Sequence, residues 1–267
     1  MDWTQDLSLI QTIEEYSFRA WAALETEIYD GWVLRFANGY TGRSNSINPI
    51  YSSTLDLETK LAYCINWYAS RGVTHRFRLN DAMQPPELDR YLEEKGYTIY
   101  GSSSVMIMTA DLNAVNLVQP VTGVKPVAGV TVQLEPERSD TWLTNFCRLH
   151  PTHAPHLDAM KAIMDRMPPT KYFTSVIADG EVVAMGLGIQ DGAYIGLFDV
   201  ITREDQRGKG YATQLVNGIV SHAIQNGVQT AYLQVMSEND PALKVYRRVG
   251  FHPIYNYWYR IPPEQSE

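Results

Sequence analysis

The residues best suited to chemistry are Arg207-Gly208-Lys209-Gly210-Tyr211-Ala212, which lie between a strand pattern and an amphipathic helix pattern. The glycines let the backbone turn its N–H groups toward a ligand, and the N-terminus of the following helix adds partial positive charge. Arg207 and Lys209 bring full charges of the kind that bind phosphate oxygens. Such a loop forms an anion cradle suited to a pyrophosphate. It is too short for a Walker A motif and lacks the three-glycine spacing of a dinucleotide fingerprint. Taken alone, it fits a phosphate cradle and a solvated basic turn equally well.

A second cluster, His150, His153 and His156 in HPTHAPH, has the residue type of a metal site but not its spacing. Pro151 and Pro155 interrupt any helix that would align the three rings, and only Asp158 follows at ligand distance. No metal is expected. Otherwise the segment reads as a surface loop. The two cysteines, Cys64 and Cys147, sit in apolar helical stretches, which excludes a disulfide scaffold and fits a reducing compartment.

The elements around the loop are legible. Tyr172–Asp179, Glu181–Gln190 and Ala193–Thr202 are β-rich runs joined by Asp179-Gly180 and Asp191-Gly192, and Asp-Gly is a strong hairpin signal. They predict a three-stranded antiparallel meander. After the loop, Ala212, Leu215, Val216, Ile219, Val220, Ala223 and Ile224 form one helical stripe, stopped by Asn226-Gly227. A strand over Thr230–Val235, a helix over Pro241–Val249 and a last strand over Phe251–Ile261 follow. Upstream, Val130–Leu134 reads as a strand, and Ser139–Leu149 and Leu157–Met167 as helices.

The segments after this loop carry Asn239, Ala242 and Tyr246-Arg247-Arg248-Val249-Gly250-Phe251. With Arg207, Gly210 and Ala212 of the loop, they closely resemble the GNAT superfamily of N-acyltransferases. That family has an R/Q-x-x-G-x-G/A loop after its fourth strand, then an Asn, then a Y-x-x-x-G-F ending. The resemblance covers roughly residues 130–260.

It implies that Arg207, Gly208, Lys209, Gly210, Tyr211, Ala212 and Thr213 hold the pyrophosphate of coenzyme A. It also implies that the backbone of Val200, Ile201 and Thr202 pairs with the pantetheine arm. A backbone N–H near Val200 would stabilise the thioester oxygen during attack. Asn239 and Tyr246 would face the thiol, and Tyr246 would donate a proton to the departing thiolate. A phenol of pKa ~10 serves a thiolate of pKa ~8.5 if it is well positioned. Several members use a glutamate as base at the position held here by Gly196, which has no side chain to offer. Asp199 and Glu204 are the nearby carboxylate candidates, and Tyr194 could pass a proton through water. Alternation along the strand does not decide which face carries Asp199.

The first half ends in the same order of elements. Strands are expected at Gly31–Ala37 and Arg43–Pro49, a helix at Leu57–Ser70, a strand at Thr74–Leu79, a helix at Pro86–Lys95 and a strand at Tyr97–Met108. Its loop, Pro49-Ile50-Tyr51-Ser52-Ser53-Thr54, has neither glycine nor a basic residue, so coenzyme A binding is expected to be lost there. Arg35, Arg43, Asn45 and Asn48 could line an acceptor pocket or knit the domains together. The Pro- and Gly-containing stretch between the halves reads as a connector. The expected organisation is a degenerate GNAT-like domain at 1–112, a linker at 113–128 and a catalytic GNAT domain at 129–267. The fold class is α+β, with mixed, mostly antiparallel sheet flanked by helices in two tandem modules.

Length and charge agree. The 267 residues suffice for two cores, and 22 Lys+Arg against 30 Asp+Glu give a formal charge of -8, which argues against nucleic acid as a partner. No apolar run approaches the ~20 residues of a membrane span, and the first fifteen residues contain no basic targeting segment. A soluble, cytoplasmic protein without a membrane partner is expected. The leading functional expectation is an N-acyltransferase that moves acetyl from acetyl-CoA to a small-molecule or peptide amine. The rivals are a non-catalytic acyl-CoA sensor or scaffold and a phosphate-binding module unrelated to coenzyme A.

Overall fold

A computed structural model describes residues 6–109 and 127–263. In chain order they form α1 (Leu7–Ala20), β1 (Glu25–Tyr29), β2 (Trp32–Phe36), β3 (Ser46–Pro49), α2 (Leu57–Ala69), β4 (Phe77–Asn80), α3 (Leu88–Glu94) and β5 (Thr98–Thr109). There follow β6 (Val130–Glu135), α4 (Asp140–Leu149), α5 (Leu157–Met164), β7 (Thr170–Ala178), β8 (Glu181–Asp191) and β9 (Tyr194–Thr202). The chain closes with α6 (Tyr211–Gln225), β10 (Thr230–Met236), α7 (Asp240–Val249) and β11 (His252–Ile261). All but the last two residues of the connector expected at 113–128 lie outside the described residues. Among the described residues no helix is long and apolar enough to cross a membrane.

The chain divides into two compact units. One comprises the residues up to Ser104 together with Asp158–Arg166 and those from Tyr255 onward; the other comprises Val105–Leu157 and Met167–Ile254.

In the second unit, β6, β7, β8 and β9 pair antiparallel in sequence order, and β10 runs parallel to β9. Val105–Thr109 of β5 lies in this unit, and β5 is the other neighbour of β10. Every element expected from Val130 onward is present, with small shifts at the ends. The first hairpin turns on Asp179 and Gly180, whose φ values are 52° and 79°. Two positive values are what a two-residue turn matching the strand twist requires. Helix α6 lies on this sheet, and Leu215, Val216, Ile219, Val220 and Ala223 are all wholly buried. Gly188 admits that approach, because a Cβ there would stand 2.6 Å from Ile219 Cγ2.

The first unit repeats the order. β3 runs parallel to β4 with α2 between them, as β9 runs parallel to β10 around α6. β1, β2 and β3 are antiparallel, and β4 is completed by the end of the chain, with Tyr257 opposite Asn80 and Arg260 opposite Phe77. Arg260 also donates to the Asp89 carboxylate at 2.8 and 3.0 Å. Trp32, Leu34, Phe77 and Leu79 form the core with Leu61, Cys64, Trp67 and Tyr68 of α2.

Helix α1 and strand β1 were not expected. α1 escapes a hydrophobic-period search because its buried face, Ile10, Ile13, Glu14, Ser17 and Ala20, is broken by two polar residues. Glu14 is nevertheless satisfied: it is ion-paired with Arg78 and accepts from the Tyr255 hydroxyl at 2.6 Å. The Arg78 guanidinium in turn lies 3.7 Å from the centre of the Tyr257 ring. The strand expected from Arg43 begins only at Ser46, because Gly42–Ser44 is a short 3-10 turn.

Candidate functional site

The parallel ladder between β9 and β10 ends at Leu197 opposite Leu233, while β9 continues to Thr202. Against β8, Phe198 faces Leu187 and Ile201 faces Met185, so three steps on β9 match two on β8. That is a β-bulge, and its strained residue is Asp199, with φ of 51°. Strict alternation therefore fails at Asp199, which is why pattern alone left its face undecided. Beyond the bulge, the backbone of Val200, Ile201 and Thr202 runs free of β10.

This freed end opens into a cleft of about 520 Å³ within the second unit. Its walls are Val200, Ile201 and Thr202, the loop and first turn of α6, and one face of α7. Gly208 and Gly210 have φ of 81° and 85°, values that L-residues with side chains rarely take. Gly210 is the N-cap of α6, no side chain caps that end, and no acid stands in its first turn. Its first N–H groups therefore donate to no side-chain cap, and the positive end of the helix dipole lies behind them. α4 and α7 differ: Ser139 Oγ caps Trp142 N at 3.1 Å, and Asn239 Oδ1 caps Ala242 N at 3.2 Å.

Of the residues expected from sequence, the cleft gathers Val200, Ile201, Thr202, Arg207, Gly208, Gly210, Tyr211, Ala212, Thr213, Asn239 and Tyr246. Lys209, Asp199 and Glu204 are not among its walls. Lys209 is exposed, and its Nζ donates to Gln206 Oε1 at 2.7 Å. Glu204 is exposed in a 3-10 turn, Glu204–Gln206. Tyr246 is buried to 7% exposure, and its ring meets that of Phe251 at 6.2 Å. The Y-x-x-x-G-F pattern has a local cause. Gly250, at φ of 108°, ends α7, and Phe251 N donates back to Tyr246 O at 3.0 Å. Gln206, Pro241, Lys244 and Val245 also line the cleft and were not singled out from sequence. Helical spacing from Asn239 and Tyr246 carries the signal for those on α7, but an exposed polar face looks the same whether it meets a ligand or water.

A side chain at Gly196 would force its neighbours to move. A Cβ there would lie 2.6 Å from Phe198 Cε2 and 2.7 Å from the Tyr232 hydroxyl oxygen. His153 and His156 lie on the 3-10 segment Pro151–His156 and His150 is its N-cap residue, and none of the three lines the cleft. The rings of His150 and His153 meet at 3.9 Å, and His150 Nδ1 bonds Thr152 Oγ1 at 2.7 Å. Among the described residues no group of His, Cys, Asp or Glu could hold a metal ion.

The equivalent loop of the first unit is filled by its own acid. Asp30 accepts from Thr54 N at 2.9 Å, Thr54 Oγ1 at 2.9 Å, Leu55 N at 2.9 Å and Lys60 Nζ at 3.2 Å. The Leu55 and Thr54 amides hold its carboxyl well below the usual range. Arg35 donates to the carbonyls of Arg43, Phe18 and Trp21. Asn45 binds the backbone of residues Ala37, Gly39, Tyr40 and Thr41, and Asn48 that of Val33 and Ser46. These side chains bind backbone of the first unit.

The family model described as "Probable histone acetyltransferase Rv0428c C-terminal" matches residues 7–260. An uncharacterized N-acetyltransferase, YobR, of Bacillus subtilis (strain 168) is 30% identical over 256 residues, covering 94% of this chain and 98% of that protein. Among solved structures, a GCN5-related N-acetyltransferase from Kribbella flavida superposes with a TM-score of 0.72 at 15% identity, covering 98% of this chain and 96% of its own. A tandem GNAT protein from the clavulanic acid biosynthesis pathway superposes with a TM-score of 0.63 at 13% identity, covering 95% and 89%.

Proposed function

We propose that this chain, which belongs to the GNAT superfamily of N-acetyltransferases, transfers acetyl from acetyl-CoA to a primary amine by direct attack on the thioester. The observation that carries the reading is the cleft itself. One channel joins an uncapped helix N-terminus with two left-handed glycines to a freed strand edge and a buried tyrosine. Its volume of about 520 Å³ suits a ligand of this size.

Bound acetyl-CoA supplies an acyl group activated as a thioester. The amides from Gly208 to Thr213 and the Arg207 guanidinium hold the pyrophosphate, and the backbone of Val200–Thr202 takes the pantetheine arm as an added strand. An amide near Val200 donates to the carbonyl oxygen as its negative charge grows. The amine nitrogen forms a bond to the carbonyl carbon as the carbon–sulfur bond breaks. Tyr246 gives its hydroxyl proton to sulfur and recovers one from the nitrogen through solvent. An acceptor that arrives as an ammonium must first lose a further proton, for which Asp199 and Glu204 are the carboxylate candidates. Residues 129–267 are read as the catalytic module and 1–112 as a degenerate copy, working in the cytoplasm where the donor is abundant.

No carboxylate lines the cleft, and this favours a second reading, a non-catalytic acyl-CoA sensor. Thiol release from acetyl-CoA across primary amines, amino acids and peptides separates the two. Acceptor-dependent release supports the transferase. Acetyl-CoA binding without release from any acceptor supports the sensor, and no binding sinks both.

A further inference from the structure

Three cations in the cleft wall, Arg207, Lys244 and Arg248, make no ion pair with any described residue. That is unusual in a chain with a formal charge of -8. Asp240 stands four residues before Lys244 on α7, the ordinary spacing of a helical ion pair, yet no such pair forms. Arg203, outside the cleft wall, pairs with Asp205 at 2.7 Å. The cleft wall thus holds three cations and no carboxylate.

The loop amides and Arg207 account for two phosphates. Lys244 and Arg248 lie one helical turn apart on the face of α7 that lines the same cleft, and they leave positive charge to spare. Coenzyme A carries a third phosphate, a dianion on the 3′ carbon of the ribose attached to its pyrophosphate. We propose that Lys244 and Arg248 form a subsite for this 3′-phosphate, by which the protein distinguishes coenzyme A from its 3′-dephospho form. The inference rests on the reading of the cleft as an acyl-CoA site.

Calorimetric titration with coenzyme A and with 3′-dephospho-coenzyme A tests it. The wild type should bind coenzyme A about tenfold more tightly, since two exposed cation contacts contribute on that order. The preference should shrink as salt is raised. In the exposed double variant Lys244→Ala/Arg248→Ala the preference should vanish, with coenzyme A falling to the affinity of the dephospho form. Arg247→Ala, on the same helix but outside the cleft wall, should retain it. Equal binding of both ligands by the wild type, or a preference that survives the double variant, overturns the subsite and leaves the acyl-CoA reading standing. Loss of preference in Arg247→Ala as well overturns the assignment to this pair. Failure of both ligands to bind overturns the acyl-CoA reading itself.

Discussion

Tyr232 on β10 lies directly across the parallel ladder from Gly196 on β9, and its ring and hydroxyl fill the space that a side chain at Gly196 would need. Both Phe198 Cε2 and the Tyr232 ring lie within 2.7 Å of the missing Cβ, and Tyr232 is only 1% exposed, so neither ring has free volume to enter. Gly196→Ala should therefore destabilise the protein by about 1–3 kcal/mol, read as a lower urea midpoint at unchanged slope. A variant as stable as the wild type would show that the two rings can yield.

The proposed proton donor gives a kinetic prediction. Tyr246→Phe keeps the ring packing against Phe251 and removes only the hydroxyl. Turnover should fall roughly 100-fold, while the affinity for acetyl-CoA changes little. Full turnover in Tyr246→Phe would exclude the acid role.

Asp30 predicts a pH dependence in the first unit. Its carboxyl is held low in the folded state by the Leu55 and Thr54 amides and by the Thr54 hydroxyl and Lys60, so the unfolded state binds the proton at higher pH. Its stabilising contribution is complete above the unfolded pKa of ~3.9 and is lost as pH falls toward the folded value. Asp30→Asn should lower the melting temperature at pH 7, and the gap to wild type should narrow below pH 4. A gap constant from pH 7 to pH 3 would contradict the mechanism.

Because Asp30 already occupies the loop before α2, only the second unit is open to a polyphosphate. Acetyl-CoA titration should end at one molecule per chain. Two equivalents would refute the idea that the carboxylate closes the first loop.

Glu14 and Arg78 are 0% and 3% exposed, and Tyr255 donates to the same carboxylate. Glu14→Gln leaves a buried guanidinium without its counter-charge and should cost about 3–5 kcal/mol in chemical denaturation. A loss under 1 kcal/mol would mean that the ring of Tyr257 suffices to hold Arg78.

The second half of the chain was legible because its signals are local. Asp179-Gly180 names its own turn, the stripe from Leu215 to Ala223 its own helix, and Gly208, Gly210 and Gly250 are three of the places where a side chain would strain the backbone. The first half was less so. α1 buries Glu14 and Ser17, β1 is largely exposed, and neither carries a clean period.

The amino-acid sequence alone determined the order of elements, the anion-binding loop, the residues of its helix and the family these imply, since each depends on neighbours a few positions apart. The tertiary structure decided that the bulge at Asp199 breaks the alternation of β9, that Tyr232 takes the room at Gly196, that Asp30 fills the first loop, and that Lys244 and Arg248 share a cleft with Arg207. Each of these depends on strand register or on residues distant in sequence meeting in space. Periodicity along a chain carries no record of which strand lies alongside or how far it has slipped.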